Sequence, residues 1–125
     1  MVLGIGTDII EIARVQQAIR KSAFVHRVFT KAECAYCEGR GKQAAASYAA
    51  RFAAKEAVLK SLGTGLRGGT LLDIEVSVDA LGAPHIALHG CFEALAKEMG
   101  VKRIWVSMSH SREYATAQCV MEGCK

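Results

Sequence analysis

The sequence predicts an α+β domain: a small antiparallel sheet packed against one long helix. Three observations lead there. The stretch from about Gln43 to Leu62 is alanine-rich and lacks Gly and Pro, which gives it high helix propensity. The second half holds short segments of alternating apolar residues, the pattern of half-buried strands. No repeat, low-complexity tract or linker divides the 125 residues, so residues 1–125 read as a single domain.

The elements follow in order. Leu3 to Ile12, rich in β-branched residues and glycine, reads as a strand interrupted near Gly6-Thr7-Asp8. From Glu11 to Lys21 the residues Ile12, Val15, Ala18 and Ile19 fall at helical spacing. A short segment spans Phe24 to Phe29. Thr30 with Glu33 three residues on forms a capping box, which starts a helix running to about Glu38. The long helix stops at Gly63-Thr64-Gly65, a glycine C-terminus, and its loop runs on to Gly68-Gly69. Leu71 to Asp79, with Ile74, Val76 and Val78 alternating, turns at Gly82-Ala83-Pro84 and returns as His85 to Leu88. Cys91 to Met99 is helical and ends at Gly100. Arg103 to Ser109 sets Ile104, Val106 and Met108 against Trp105, Ser107 and Ser109. After a turn near Ser111-Arg112, Tyr114 to Met121 is the last strand.

Composition sets limits. The chain is 51% hydrophobic and 22% charged, which excludes a disordered chain. No stretch approaches the roughly 20 apolar residues of a membrane span. The N-terminal apolar run is broken by Asp8 and Glu11 with no basic residue before it, so it is no signal peptide. Five cysteines, an odd number, point to reduced thiols and a cytoplasmic protein. The net charge of +4 favours anionic partners. Nucleic acid, phosphorylated cofactors and acidic proteins all qualify. A nucleic-acid module would need a stacking face, yet aromatics are only 6% and no RNP-like run occurs.

Some residues could do chemistry. Asp8 lies in an apolar strand, where a carboxylate needs a cation, a metal or hydrogen bonds; an Asx-type bend is the alternative. In the helix that begins Arg51-Phe52, Glu56 and Lys60 share a face. They are either a solvated i,i+4 ion pair or part of a site, because Phe52, Val58 and Leu59 interleave with them. Asp8 and Glu56 together suit Mg²⁺, which keeps waters and completes its shell with phosphate oxygens. Beside Lys60, Arg51 and Lys55, such a pair suits phosphoryl transfer or hydrolysis of a free pyrophosphate. Ser107 to Arg112 offers His110 as a phosphate ligand or turn anchor; no G-x-S-x-G elbow supports a hydrolytic triad. The lone Cys34-Ala-Tyr-Cys37 reads as packing, since zinc needs further ligands. Arg14, Arg20, Lys21, Arg27, Lys31, Arg40 and Lys42 cluster in one window near Phe24 and Val25. That window is a solvated face or a surface that steers in an acidic protein.

Three blocks in order resemble the holo-acyl-carrier-protein synthase family, the small phosphopantetheinyl transferases. They are Gly4-Ile-Gly-Thr-Asp-Ile-Ile-Glu-Ile12 with Arg14, Arg51-Phe-Ala-Ala-Lys-Glu-Ala-Val-Leu-Lys-Ser-Leu-Gly-Thr-Gly65, and Val106-Ser-Met-Ser-His-Ser-Arg-Glu-Tyr-Ala115. The resemblance spans essentially the whole chain. It implies the phosphopantetheinyl transferase fold, usually as a homotrimer with active sites shared between subunits. The implied reaction moves 4'-phosphopantetheine from coenzyme A to a serine of apo acyl carrier protein. It leaves holo-carrier and adenosine 3',5'-bisphosphate, and it supports fatty acid biosynthesis.

By position, the resemblance makes Asp8 and Glu56 the Mg²⁺ ligands and Lys60 the holder of the transferred phosphate. Lys42, Arg51, Ser61, Gly63, Thr64, Gly65, Pro84, Ser109 and His110 would line coenzyme A. Arg14, Lys21, Phe24 and Arg27 would dock the carrier. The sequence departs at Ala83 and Gln43, where basic residues are common in relatives, and at Ala18 and Ser22, where larger groups are usual. None of these touches Asp8, Glu56 or Lys60.

Overall fold

A computed structural model describes residues 1–66 and 68–124. Its centre is α4, Ala44–Leu62. Around it run β1 (Val2–Glu11), α1 (Ile12–Ala18), α2 (Ser22–Val28) and α3 (Lys31–Glu38). After α4 come β2 (Ile74–Val78), β3 (Pro84–Leu88), α5 (Gly90–Met99), β4 (Val101–His110) and β5 (Tyr114–Gly123). Short 3₁₀ turns at Gly41–Gln43 and Leu71–Asp73 lead into α4 and β2.

Two antiparallel sheets result, one ordered β1-β5-β4 and one a β2-β3 hairpin. The expected alternation in β4 holds: Ile104, Val106 and Met108 pack on the core, while Trp105, Ser107 and Ser109 are exposed. In β5 the buried set is Ala115, Ala117, Cys119 and Met121. The small side chains of β5 and the alanines of α4 let helix and sheet approach closely. Ala53, Ala54, Ala57 and Val58 are fully buried.

The approach of β1 is closer still. A Cβ at Gly4 would run into Ser61 O, and one at Gly6 into Ala57 O and, at 2.8 Å, Ser61 Oγ. This corrects the expected break at Gly6-Thr7-Asp8. The strand is continuous, paired from Gly4↔Met121 to Glu11↔Tyr114. Its glycines serve contact with the helix, not a turn.

The capping box at α3 is present in both directions. Glu33 N donates to Thr30 Oγ1 at 3.2 Å, and Thr30 N donates to Glu33 Oε1 at 2.8 Å. The segment at Phe24 to Phe29 is largely helical, as α2. Long helix α4 ends at Gly63, whose φ of 73° is the left-handed cap that glycine adopts freely. Cys37 of the CxxC is fully buried, and burial pushes its thiol up to about 11. That is the behaviour of a packing cysteine. No helix among the described residues is long and apolar enough to cross a membrane.

Candidate active site

The site forms where β1 crosses α4. Strand alternation turns Asp8 to the same side as Gly4 and Gly6, toward the helix. There it meets Glu56 and Lys60, which lie one turn apart on α4. Lys60 Nζ donates to Thr7 O at 2.9 Å and lies 3.3 Å from Asp8 Oδ1. The Asp8 side chain is 19% exposed and that of Lys60 56%. Thr116 Oγ1 donates to Asp8 O at 2.8 Å, which ties the strand to β5.

Glu56 is half-buried beside Asp8. Burial first, and then the Asp8 charge, raises its pKa above the ordinary glutamate range, while Lys60 opposes the shift. Two close carboxylates with one lysine leave negative charge that folding alone does not neutralise. This all-oxygen donor pair fits a hard divalent cation, with room for water and phosphate oxygens.

A cavity of about 460 Å³ opens over the two carboxylates. Asp8 and Glu56 lie in its wall with Arg14, Phe24, Phe52 and Tyr114. A second groove, of about 480 Å³, is lined by Arg14, Gln17, Ala18, Lys21, Phe24 and Arg27. Arg14, Ala18 and Phe24 belong to both, so the basic groove continues into the carboxylate cavity. A third hollow, of about 590 Å³, gathers Lys42, Gln43, His110, Ser111 and Arg112 near the start of α4.

The residues named from the sequence therefore fall into groups. Asp8, Glu56 and Lys60 come together. Arg14, Lys21, Phe24 and Arg27 line one groove, and Lys42 and His110 share one hollow. Ser109, one residue earlier on β4, is exposed. Gly63, Thr64 and Gly65 follow the end of α4 at Leu62, and Thr64 N donates to Leu59 O at 3.3 Å. Arg67 of the same loop lies outside the described residues. Pro84 starts β3 on the separate hairpin, whose turn is held by Asp79 Oδ1 accepting from Leu81 N and Ala83 N.

Other side chains are turned away from the cluster. Arg51 is buried, with its guanidinium 4.2 Å from the Tyr36 ring centroid and its Nη1 donating to Ser47 O. Ser61 is buried between α4 and β5, its Oγ 2.9 Å from Ala57 O and 3.3 Å from Cys119 O. Lys55, expected beside the carboxylates, is buried and bonded elsewhere.

Tyr114 and Arg112 lie in the third block with no role of their own assigned there, yet each lines a hollow of the site. The carbonyl of Thr7 that receives Lys60 is equally invisible in sequence, because a backbone acceptor leaves no residue type to read.

Residues 4–119 match the family model described as the 4'-phosphopantetheinyl transferase superfamily. A holo-[acyl-carrier-protein] synthase of Moorella thermoacetica is 48% identical over 118 residues, covering 94% of this chain and 91% of that one. The crystal structure of holo-[acyl-carrier-protein] synthase from Neisseria meningitidis is similar with a TM-score of 0.88. It is 35% identical and covers 98% of this chain and 99% of that one. A holo-(acyl-carrier-protein) synthase from Bacillus anthracis, solved in complex with CoA (3',5'-ADP), has a TM-score of 0.82 and 36% identity, covering 99% of each chain. With its carboxylate pair beside a lysine at the crossing of β1 and α4, and with relatives of this kind along its whole length, the chain belongs to the 4'-phosphopantetheinyl transferase superfamily, and within it to the holo-[acyl-carrier-protein] synthases.

Proposed function

We propose that this chain uses Mg²⁺, held by Asp8 and Glu56, to move 4'-phosphopantetheine from coenzyme A to a serine of an acidic acyl carrier protein. The reading extends to a cytoplasmic role in fatty acid biosynthesis. The observation that carries it is the convergence of Asp8, Glu56 and Lys60 where β1 crosses α4, with the two carboxylates in the wall of a cavity that opens into a basic groove.

Bound at the two carboxylates, Mg²⁺ would supply charge neutralisation for pyrophosphate oxygens. The half-exposed Lys60 ammonium holds the transferred phosphate and offsets charge that grows on its oxygens. The carrier serine oxygen attacks the phosphorus nearest the pantetheine. The bond from that phosphorus to the bridging oxygen breaks, and adenosine 3',5'-bisphosphate leaves. Glu56, directly or through water, accepts the serine proton. Arg14, Lys21 and Arg27 attract the carrier's acidic surface, and Phe24 among them gives it an apolar anchor. The hollow with Lys42 and His110 would take the nucleotide end, as would the Gly63 to Gly65 loop, Pro84 and Ser109. Arg51 and Ser61 reach a donor only if their buried side chains rearrange.

The decisive test incubates apo acyl carrier protein with this protein, coenzyme A and Mg²⁺ and measures intact mass. The expected result is a gain of one phosphopantetheine group, abolished by EDTA and by a folded Asp8→Ala variant. A folded Asp8→Ala with the normal rate refutes the metal assignment. Steady nucleotide release without any carrier would make the protein a hydrolase instead.

The same reading includes a homotrimer with shared sites. The outward face of the three-stranded sheet leaves Ile5 70%, Ile9 65% and Trp105 51% exposed. A groove on this face runs from Ile5 and Val120 to Lys60, which links the apolar patch to the site. Ile9→Glu is expected to lower the mass seen by light scattering to that of one chain and to reduce transfer. An unchanged trimer rejects this face as the contact, and a wild-type protein that is monomeric at micromolar concentration rejects the assembly.

A further inference from the structure

Lys55 is a buried ammonium that the proposed chemistry does not use. It stands next to Glu56 in sequence, but on a helix adjacent residues point about 100° apart. Glu56 faces the cavity, whereas Lys55 is wholly enclosed.

All three of its donors are spent. Lys55 Nζ lies 2.6 Å from Val28 O, 2.7 Å from Glu33 Oε1 and 2.9 Å from Leu71 O. Glu33 is enclosed as well, and its Oε2 accepts from Val76 N at 2.7 Å. One ammonium therefore joins four pieces of backbone: the last residue of α2, the cap of α3, the 3₁₀ turn after the glycine-rich loop, and, through Glu33, β2. With no donor left over, Lys55 cannot also hold a phosphate.

The tie to Val28 matters most. Helix α2 carries Phe24 and Arg27, which line the basic groove. Among the described residues, the other backbone hydrogen bonds of 22–29 join neighbours along the chain, such as Phe24 N to Lys21 O and Phe29 N to Val25 O. Aromatic packing adds to these attachments. Phe24 packs at ring-centroid distances of 6.2 Å from Phe29 and 6.1 Å from Phe52. Apolar contact resists separation but permits sliding, whereas a directed bond to a carbonyl fixes position along the helix.

We propose that Lys55 is a positioning residue for the carrier substrate: by clasping Val28 O and Glu33 it holds the docking helix α2 at a fixed offset from Glu56 and Lys60. The proposal rests on the reading of the Arg14–Arg27 groove as the carrier's docking surface. The same turn of α4 would then present a metal ligand on one side and set the distance to the docking surface on the other.

Kinetics separate this role from simple support of the fold. Lys55→Met is compared with Met121→Ala, a core substitution on β5, at a temperature where both are folded. For Lys55→Met the expected result is a KM for apo-carrier raised on the order of 10-fold, as for a docking surface that is no longer preorganised. The KM for coenzyme A and kcat at saturating carrier stay near wild type, and amide exchange quickens at 22–33. Met121→Ala leaves the carrier KM unchanged. If both variants shift carrier KM alike, or if Lys55→Met changes kcat alone, the proposal is overturned. Should Lys55→Met fail to fold, Glu33→Gln keeps the shape while removing the anion, and the same readouts apply. Arg27→Glu separates the two layers of inference. A carrier KM unmoved by Arg27→Glu removes the docking reading and this proposal with it. A KM raised by Arg27→Glu but not by Lys55→Met or Glu33→Gln removes the positioning role alone.

Discussion

Glu56→Gln is expected to melt at a higher temperature than the parent protein in EDTA at neutral pH while losing transfer activity by on the order of 10³-fold. The reason is that Glu56 is a carboxylate kept where the fold disfavours its charge. Burial and the neighbouring Asp8 raise its pKa, against the opposing pull of Lys60. Below the unfolded-state value both states hold the proton, and Glu56 carries no penalty. As pH rises through that value and then through the raised folded value, the unfolded state ionises first and stability is lost. Glutamine never ionises, so the melting temperatures of the two proteins should converge near pH 4 and separate as pH rises toward 7. Adding Mg²⁺ should stabilise the parent by mass action and leave Glu56→Gln little changed. Scanning calorimetry across pH, with and without Mg²⁺, reads both effects. A Gln variant that melts lower than the parent at pH 7 in EDTA would show that the carboxylate is satisfied by the fold itself and needs no cation.

Gly6→Ala is expected to cost about 3 kcal/mol or more, because it overpacks a contact between two backbones. Its methyl group would meet Ala57 O and Ser61 Oγ. A carbonyl within a helix ladder cannot swing aside as a side chain end can. The strand must therefore lift from α4, and Asp8 two residues on moves with it. Transfer activity should fall further than the folded fraction does. Gly65→Ala is the contrast, since a Cβ there meets nothing within 4 Å. Its stability should stay within about 0.5 kcal/mol of wild type. Denaturant midpoints for the two variants give the comparison. Equal midpoints would mean that β1 does not lie on the helix as described.

These two residues also show where reading the sequence succeeds and where it stops. Gly6 beside Thr7 and Asp8 looks like an interruption of a strand, because glycine has no side chain to pack. The same absence is what lets β1 touch α4, and nothing local separates the two meanings. Asp8 is similar. Its residue type says that a buried carboxylate needs a partner, but only the crossing of β1 with α4 shows that the partners are Glu56 and Lys60. The pairing of Glu56 with Lys60 was legible, because a helix fixes which residues share a face. The same motif sets Lys55 beside the carboxylates, but the structure turns it to Val28, Glu33 and Leu71, which lie 27, 22 and 16 residues away. The family likeness assigns Arg51 and Ser61 to the donor, yet the structure gives their polar groups to Tyr36, Ser47, Ala57 and Cys119.

By itself the sequence determined what depends on neighbours along the chain. The alanine-rich helix, the Thr30–Glu33 cap, the glycine stop at Gly63, the alternation in β4 and the family likeness all rest on short-range spacing. The tertiary structure alone decided the continuity of β1, the joining of the basic groove to the carboxylate cavity, and the face each cation of α4 turns inward or outward. Those features depend on distances between segments far apart in the chain, and such distances are set by close packing of small residues between helix and sheet.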